Sequence, residues 1–475
     1  MEKVKRLNFG YFPPCDRLSK CFENAKNSLT RSEKMNEKSD FLEKREEQWA
    51  ALAARVGKKH GEAVVEAMKE LYDVFGVSIV DWLASLYDPE SGAWYYSKSA
   101  QETEGYLPNA ESTLGGVTML VTYGATEGRG AEEVTPPWLK KRVSDYVYNL
   151  QDPDGYFYHP QWGKNISHLK KSRDLGTCKW LLRMMDGPAP KYTVPGAPKK
   201  DGEKYDINNA PERFRSLENY KHYLYEELNF ESRAYSSGSE MSSQMGEVEA
   251  YGAMLGVDLV DLTLSYITTK ECAENGLWHA EKNYYGTNGL QKISKMYNWY
   301  NRKIPYAMKA LESTMEVIMS DAPVGASVDV YNPWHALGSV VLNLKNQHGL
   351  SEDEFAAVMD KVYAWAPAAI RKSAEKMKIF KKDDGGMSYL VKCSSATDQG
   401  AKAAVPNSPE GDVNGCGCAM AIIPSIYAGL NMPDAQVPLY TPADWERYIG
   451  IVTEREEAYK AGKFVQIKKP EQKEA

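Results

Sequence analysis

A mainly α-helical fold is predicted by two features of the sequence. Long stretches place apolar residues three and four positions apart, as in the segment that begins at Ser39 and ends at Tyr87. A later stretch, SEDEFAAVMDKVYAWAPAAIRKSAEKMKIF, has the same spacing and opens with Ser351 and Glu354 in the pattern of a capping box. The alternation of apolar and polar residues that marks strands is sparse and short. The expected class is therefore all-α.

A short turn signature recurs between the helical stretches. It consists of an acidic or amide residue, a Gly and a bulky, usually aromatic residue. The copies are DPESGAWYYS (88–97), DPDGYFYHPQW (152–162), ENGLWHA (274–280) and DDGGMSYL (383–390). Glycine accepts the left-handed conformation that ends many helices, and the ring after it can fold back onto the helix pair. The signature therefore predicts turns that join helical hairpins.

A second recurring element is a helix start that is rich in small residues. Asn, Ser and Asp favour the N-terminal cap of a helix, and Gly, Ala and Ser allow another helix to approach closely. These segments predict closely packed inner helices at NAESTLGGVTMLV (109–121), SRDLGTCKWLL (172–182), GTNGLQKISKM (286–296), DVYNPWHALGSVVLNL (329–344) and GDVNGCGCAMAI (411–422).

The same patterns divide the chain into regions. Residues 1–38 are polar and irregular and predict an N-terminal arm, and residues 39–450 form one helical domain. An excursion at about 186–246, rich in Pro, Gly, Lys and Tyr, is expected to cover one end of that domain or to form a flexible surface insertion. Residues 451–475 are expected to form a charged C-terminal tail.

The composition narrows the class of partner and the compartment. The 58 basic and 65 acidic residues give a formal charge of -7, so there is no broad positive field to attract nucleic acid. The 31 Tyr and 11 Trp residues favour a polar, ring-lined cleft for a small molecule or an oligosaccharide. We expect a cytoplasmic protein with no membrane span, because no apolar stretch is long enough to form one. The seven scattered Cys residues predict reduced thiols.

One copy of the turn signature carries a resemblance to a known group of proteins. LQDPDGYFYHPQW is similar to the Gln-x-x-Asp-Gly-x-aromatic repeat of triterpene cyclases: Gln151, Asp154, Gly155 and Phe157 match it, with Phe where Trp is usual. The pattern over roughly residues 60–450 resembles the α/α-toroid architecture of six-hairpin glycosidases, polysaccharide lyases, terpenoid cyclases and protein prenyltransferases. The resemblance implies an (α/α) toroid or barrel.

Two departures from the terpenoid branch shape the functional expectation. Neither an Asp-x-Asp-Asp run nor an Asp-Asp-x-x-Asp run occurs, and Asp383 and Asp384 lie inside a glycine turn. A zinc site would combine Asp412 with Cys416 or Cys418, but a His must come from elsewhere and the two thiols point in different directions on a helix. We therefore predict no metal and no cofactor.

The toroid implied by the resemblance would bring the inner helix N-termini together at one end. N-termini supply partial positive charge and free N–H groups, which suit anionic ligands such as uronate carboxylates. The candidate catalytic residues near these helix starts are Glu111, Arg173, Asp174, Tyr331, Asn332, His335 and Asp412. The candidate substrate-binding residues are Asn288 and Asn414, with sugar-stacking rings at Trp94, Tyr95, Tyr156, Trp162, Trp278, Tyr284, Tyr285 and Trp299.

Two reactions fit these residues. In β-elimination at a uronate, Asn332 would neutralise the carboxylate, His335 would take the proton at C5 and Tyr331 would protonate the leaving oxygen. Arg173 is a further carboxylate clamp. His335 follows Pro333, a residue that favours the first turn of a helix, although a His bonded into a packed barrel is an equal alternative.

Hydrolysis would instead need two carboxylates across a sugar, which Glu111, Asp174 and Asp412 could supply unless they only cap their helices. The sequence thus predicts a carbohydrate-active enzyme, either a glycoside hydrolase or a uronate-eliminating polysaccharide lyase, that acts on oligosaccharides. A terpenoid-cyclase-like or prenyltransferase-like enzyme on an apolar substrate is the first alternative. A non-catalytic toroid that binds a ligand or a partner is the second.

Overall fold

Helices dominate the described chain. The computed structural model describes residues 31–194, 207, 210–466 and 468–470. Its α-helices are α1 (Arg31–Val56), α2 (Gly61–Tyr72), α3 (Ser78–Ser85), α4 (Lys98–Glu102), α5 (Ala110–Thr122), α6 (Ala131–Val134), α7 (Pro137–Asn149), α8 (His168–Met184), α9 (Leu217–His222), α10 (Ala234–Leu255), α11 (Leu259–Thr268), α12 (Tyr284–Trp299), α13 (Ala307–Met319), α14 (Val328–Gln347), α15 (Glu352–Lys378), α16 (Val413–Met420), α17 (Ile422–Gly429) and α18 (Pro442–Lys460). The prediction of a mainly α protein is confirmed.

Short non-α elements lie between these helices. A 3-10 turn (Glu212–Phe214) precedes α9, and a π-helical turn (Tyr223–Glu227) follows it. Strand β1 (Tyr87–Asp88) pairs antiparallel with β2 (Ala93–Trp94), and β3 (Thr397–Asp398) pairs antiparallel with β4 (Ala401–Lys402).

The recurring turn signature forms small hairpins. Gly92 has a φ of 78°, Gly155 of 85°, Gly276 of 70° and Gly385 of 97°, so all four occupy the left-handed region. The prediction of left-handed glycines is confirmed, but they lie beyond the helix ends. Gly92, Gly155 and Gly385 lie between paired residues, such as Gln151 with Phe157, and Gly276 lies in a turn that the hydrogen bond from Cys272 N to the carbonyl of Leu277 closes.

The second residue after each turn glycine packs into the core. These residues are Trp94, Phe157, Trp278 and Met387, and none is more than 1% exposed. Extended backbone turns successive side chains to opposite sides, so the residues two and four positions after the glycine share one side of the short hairpin. The turn thereby fixes which side chains face the interior.

Side-chain caps define several of the helix starts. Asn109 accepts a hydrogen bond from Ser112 N at the start of α5, and Asp412 accepts one from Gly415 N at the start of α16. At α12 the cap is Asn283, which accepts from Gly286 N. These polar residues satisfy N–H groups that have no partner within the helix.

One predicted helix start is wrong by several residues, and so is the placement of Pro333 in a first turn. Helix α8 begins at residue 168, with Ser167 as its cap, and not at Ser172. Helix α14 begins at Val328, so Pro333 lies inside the helix rather than in its first turn. Proline at this position lacks the N–H that would reach the carbonyl of Asp329, which the helix tolerates near its start. His335 consequently lies deeper along α14 than the sequence predicted.

Two further regions differ from the predicted boundaries. Helix α1 begins at Arg31, inside the segment predicted as an irregular arm at residues 1–38, whose remainder lies outside the described residues. Helix α10 begins at Ala234, inside the excursion predicted at about residues 186–246, and packs against α12. Part of that excursion, residues 195–206 and 208–209, also lies outside the described residues.

Small residues set the spacing of the central helices. A Cβ atom on Gly289 of α12 would lie 2.5 Å from the Cβ of Ala234 on α10. A Cβ atom on Gly338 of α14 would lie 2.7 Å from the Cβ of Ala428 on α17. Both distances are too short for carbon atoms, so the helices depend on glycine at these contacts.

One hydrophobic core connects most of the helices. Helix α12 packs against α10 and α14, α14 packs against α13 and α17, and α5 packs against α8 and α16. Helix α15 covers α2, and α18 covers α3. In the part of the chain that the structure describes, no helix has both the length and the apolar character that crossing a membrane would require.

Candidate functional site

An ionic cluster joins the start of α5 to the first half of α8. The ammonium of Lys170, which has no exposed side-chain surface, lies 3.0 Å from Glu111 Oε1, 2.9 Å from Asp174 Oδ1 and 2.8 Å from Asp398 Oδ2. Arg173 Nη2 donates to Glu111 Oε2 at 2.6 Å, and its Nε donates to Oε1 at 3.2 Å. Two cations thus hold three carboxylates from α5, α8 and β3.

Burial and charge act in opposite directions on these carboxylates. Burial alone would raise the pKa of Glu111, but the charges of Arg173 and Lys170 outweigh it and lower the pKa to about 2. Burial raises the pKa of Asp174 to about 6, although Lys170 opposes the shift. Burial and the charge of Glu111 raise the pKa of Asp398 as well. Glu111 is therefore a fixed anion, whereas the two aspartates hold their charge less firmly.

A second cluster, of basic groups, lies on the inner side of α12. The Lys292 side chain is buried, and its ammonium lies 5.1 Å from the centroid of the Tyr235 ring on α10. Burial lowers the pKa of Lys292 to about 7, and the charges of Lys295 and Arg173 add to the effect. Burial also lowers the pKa of Lys295 to about 8. These groups, with Arg173, form what we call the basic cluster.

His335 of α14 lies beside the basic cluster. Burial, together with the charges of Lys292 and Lys295, lowers its pKa to about 4. The imidazole is therefore neutral at pH 7. His335 retains some accessible surface even though protein atoms surround it on most sides.

Amide side chains connect α12 to α14 around His335. Asn332 Nδ2 donates to Asn288 Oδ1 at 3.0 Å, and Gln291 Nε2 donates to His335 Nδ1 at 3.4 Å. Asn332 is 3% exposed and Gln291 is 5% exposed. Among the described residues, no donor reaches Asn332 Oδ1 or Gln291 Oε1. Buried acceptors without a donor are rare in proteins and suit the hydroxyl groups of a ligand.

Asp412 holds the backbone around the start of α16. Its carboxylate accepts hydrogen bonds from Gly415 N at 2.6 Å, from Tyr389 N at 2.7 Å and from Ser395 N at 3.2 Å. Burial raises its pKa to about 7 against these three donors. The side chain is fully buried, so its role in this arrangement is to join the 389–395 segment to α16.

The remaining polar candidates occupy two different environments. Asn414, in the first turn of α16, is partly exposed, and its Oδ1 lies 3.6 Å from Cys418 Sγ. Tyr331 is only 4% exposed, so little of its surface is available to a substrate. Cys416, which a zinc site would combine with Asp412, accepts a hydrogen bond from Met387 N at 3.1 Å. Within the described chain, no three His, Cys, Asp or Glu side chains are placed to hold one metal ion.

Three of the rings predicted to stack on sugars lie in the core. Trp94 and Trp278 have no exposed surface, and Tyr95 is 3% exposed. The alternation of the hairpin turns Trp94 and Trp278 inward, where they pack against neighbouring helices. We therefore correct the expectation for these three rings, because a buried face offers nothing to a sugar.

Two other predicted rings lie on the segment after α7 and contact lysines. The ammonium of Lys171 lies 3.9 Å from the centroid of the Tyr156 ring, and that of Lys170 lies 4.6 Å from the Trp162 ring. The Trp162 indole donates to the carbonyl of Lys402 at 2.7 Å. Trp162 thus covers the ionic cluster and fixes the β4 strand, whereas Tyr156 is partly exposed.

The last three rings belong to α12. Tyr284 donates to the carbonyl of Ala322 at 3.1 Å, and Tyr285, which is 42% exposed, donates to the carbonyl of Ser232 at 3.0 Å. Both lie in the first turn of the helix. Trp299 ends α12 and is partly exposed. The ammonium of Lys295 lies 5.3 Å from the centroid of the Trp299 ring, so Trp299 adjoins the basic cluster.

The structure brings together part of the predicted site and adds residues to it. Arg173 belongs to the basic cluster and pairs with Glu111, and the charges of Lys292 and Lys295 act on His335. Asn288 and Asn332 bond to each other between α12 and α14. The sequence reasoning missed Lys170, Tyr235, Lys292 and Lys295. A signal for the lysines of α12 was present: Asn288, Lys292 and Lys295 follow the spacing of one helix face in a helix otherwise rich in small and apolar residues.

Comparison with models of protein families gives no match to this chain, and comparison with curated proteins gives none either. The chemistry of the residues themselves must therefore carry the functional argument.

Proposed function

We propose that this chain is a polysaccharide lyase that cleaves uronate-containing oligosaccharides by β-elimination. The observation that carries the proposal is the basic cluster of Arg173, Lys292 and Lys295, which lies beside amide groups and a neutral His335. Two partly or fully buried ammonium groups next to a guanidinium repel one another, and burial removes the water that would screen them. A carboxylate bound beside Lys292 and Lys295 would reduce this repulsion, since Arg173 already pairs with Glu111.

The proposal includes an (α/α) toroid as the frame of the site. It is supported by the sequence of helix contacts, since α10 packs against α12, α12 against α14, α14 against α17, and α16 against α5, which in turn packs against α8. These are the contacts that a ring of inner helices would make. Such a ring would bring Glu111, Arg173, Asn288 and Asp412 toward one end, where the helix N-termini add positive potential.

An oligosaccharide is favoured over an apolar substrate by the groups that flank the lysines. Asn288, Gln291 and Asn332 are amides, and two of their oxygens accept no hydrogen bond within the described residues. Sugar hydroxyls are donors and would satisfy them, whereas a hydrocarbon would leave them unpaired at a cost of about 1–3 kcal/mol for each group.

Elimination is favoured over hydrolysis by the state of the carboxylates. Hydrolysis needs one protonated acid and one free carboxylate on either side of the sugar. Glu111 is held by Arg173 and Lys170, Asp174 by Lys170, and Asp412 by three backbone N–H groups. Each predicted carboxylate is thus engaged in holding the fold together.

The elimination assigns one role to each of three side chains. Arg173 binds the uronate carboxylate, which stabilises the charge that develops when the C5 proton leaves. Lys292 takes that proton in its neutral form, and the C4–O bond breaks as the C4–C5 double bond forms. Tyr235, whose pKa burial raises above its usual value, keeps its proton and gives it to the leaving oxygen.

His335 and Asn332 take positioning roles in this proposal. A base works best when its pKa lies near the working pH, so Lys292 with a pKa of about 7 is better matched than His335 with a pKa of about 4. The neutral imidazole and the free amide oxygen of Asn332 suit hydrogen bonds to sugar hydroxyls.

The test is incubation with a panel of neutral and uronate-bearing oligosaccharides, with the absorbance of unsaturated uronates and the release of reducing ends followed together. We expect both signals from uronate substrates alone. Lys292→Gln should lower the rate by about a hundredfold or more, whereas Lys361→Gln, an exposed position on α15, should leave it unchanged. Reducing ends without absorbance would identify a hydrolase, and silence of both signals would contradict the proposal in favour of a non-catalytic binding protein.

A further inference from the structure

One face of α12 carries polar and aromatic groups beyond the proposed eliminating centre. Asn288, Lys292, Lys295 and Trp299 are separated by four, three and four residues, the spacing of a single helix face. At a rise of about 1.5 Å per residue, Trp299 lies about 10 Å from Lys292 along the helix axis. That length exceeds one pyranose ring, so the face extends past a single sugar.

Lys295 and Trp299 form a pair on the far part of this face. The ammonium of Lys295 lies 5.3 Å from the centroid of the Trp299 ring, and both side chains are partly exposed. In the described part of the chain, Lys295 has no ion pair with a carboxylate. A cation–π contact of this kind contributes about 1 kcal/mol, less than an ion pair with a desolvated carboxylate.

The neighbouring helix shows that solvent reaches past His335. His335, Ser339 and Leu342 follow one face of α14, and each retains accessible surface. Leu342 is 41% exposed although it lies well inside the helix. Ser339 accepts from Asn298 Nδ2 at 2.9 Å, which fixes α14 against α12 at this level. Side chains with accessible surface therefore lie on both helices near the Lys295–Trp299 pair.

We propose that Lys295 and Trp299 form a second acidic-sugar subsite adjacent to the eliminating centre, which rests on the proposed function. The ammonium leaves the indole to bind the carboxylate of the next uronate, and the uncovered indole stacks on the face of that sugar. The enzyme then selects chains of consecutive uronates over chains in which uronates alternate with neutral sugars, because only the former place a second carboxylate at Lys295.

Calorimetric titration with two oligosaccharides of equal length tests the subsite without relying on turnover. One is an oligogalacturonate, whose residues are all uronates, and the other is a hyaluronan fragment, in which uronates alternate with neutral N-acetylhexosamines. We expect wild-type protein to bind the oligogalacturonate more tightly. Lys295→Gln should weaken that binding about tenfold or more and change hyaluronan binding little, since a hydrogen bond to a charged group is lost in one case alone.

Two further variants separate the effect of the Lys295 charge from a general effect of substitution. Lys295→Arg retains the charge and should retain the preference for consecutive uronates, and Lys361→Gln should behave as wild type. If Lys295→Gln binds both oligosaccharides as wild type does, the subsite is overturned even when elimination is observed. If the preference depends on Lys295 but no unsaturated product forms, the subsite stands and the proposed reaction fails. Wild-type protein that binds neither oligosaccharide overturns both.

Discussion

Substitution of Lys170 by Met tests the ionic cluster that joins α5, α8 and β3. Methionine fills similar space but lacks the ammonium, which lies 3.0, 2.9 and 2.8 Å from oxygens of Glu111, Asp174 and Asp398. Removal of one partner from a buried ion pair costs about 3–5 kcal/mol, because the other charge stays buried without compensation. Arg173 still pairs with Glu111, so we expect the unfolding free energy to fall by about 3 kcal/mol at pH 7.5, the lower end of that range.

The loss of unfolding free energy in the Lys170→Met variant should increase from acid to neutral pH. Burial already raises the folded-state pKa of Asp174 and Asp398 above their unfolded values, and removal of Lys170 raises both further. Between about pH 4 and the folded-state pKa of these two aspartates, the folded variant then binds more protons than the unfolded variant. The unfolding free energy of the variant therefore falls as pH rises through this window, and it falls more steeply than in the wild type.

Urea unfolding followed by tryptophan fluorescence at pH 5 and pH 7.5 measures both effects. Lys179→Met, an exposed position on the same helix, is the matched control and should change stability by less than about 0.5 kcal/mol. Addition of Asp398→Asn to the Lys170→Met variant should recover part of the loss at pH 7.5. The reasoning is refuted if Lys170→Met is as stable as the control at pH 7.5.

Three further predictions concern the turns, a cap and the reaction. Gly276→Ala should destabilise by about 3 kcal/mol or more in urea unfolding, because its Cβ would lie 2.4 Å from Ala310 N at a φ of 70°. Gly105→Ala, at a φ of 81° with no atom within 4 Å, should cost only about 1–2 kcal/mol; equal losses would contradict the packing argument. Asn109→Ala should cost about 1 kcal/mol by the same assay, and no loss would show that its bond to Ser112 N is dispensable. The elimination rate should rise with pH to a plateau above about 7 as Lys292 loses its proton, and a rate that stays flat from acid to alkaline pH would exclude Lys292 as the base.

Features that depend on a few adjacent residues could be predicted from the sequence. Gly155 adopts a left-handed conformation because the turn at its position requires it, and Asp154 accepts from Tyr156 N at 3.0 Å within the same turn. Asn109 and Asp412 cap their helices through side chains that reach three residues ahead. Such interactions are encoded locally, so a short motif is enough to identify them.

Features that depend on distant contacts could not be predicted in the same way. Ser167 and Ser172 are both suitable caps for α8, and the structure uses Ser167, which caps Lys170 N; the Lys170 ammonium pairs with Glu111 and Asp398 from distant elements. The start of α10 lies inside the excursion that the Pro, Gly, Lys and Tyr content of residues 186–246 predicts, and its own Ser and Gly residues do not identify a helix. Those small residues let α10 approach α12, as at Gly238, where a Cβ atom would lie 2.9 Å from the side chain of Ile293.

The candidate site shows the same division between local and distant information. Helix-start reasoning found Glu111, Arg173 and Asn332, because caps and first turns are visible in the sequence. It missed Lys292 because a lysine in a helix is usually solvated, whereas α10 packs against this one: a Cβ atom on Gly238 would lie 3.0 Å from the Cβ of Lys292, and the Tyr235 ring lies near its ammonium. The rings Trp94 and Trp278 were misplaced for the opposite reason, since aromatic residues suit a core as well as a binding surface.

The basic cluster destabilises the folded state, so its presence points to a role in function rather than in folding. Burial lowers the pKa of Lys292 to about 7, so between about pH 7 and pH 10 the folded state holds fewer protons than the unfolded state. The buried ammonium of Lys292 therefore destabilises the folded state most below pH 7, and this destabilisation decreases as pH rises. Replacement by Met, which keeps the unbranched shape, should raise the unfolding free energy at pH 7 by about 1–3 kcal/mol while it abolishes elimination. Urea unfolding at pH 7 and pH 9.5 measures this gain, which should shrink at the higher pH. A Met variant less stable than wild type at pH 7 would mean that Lys292 holds the fold together, and the argument from its burial to a bound anion would no longer stand.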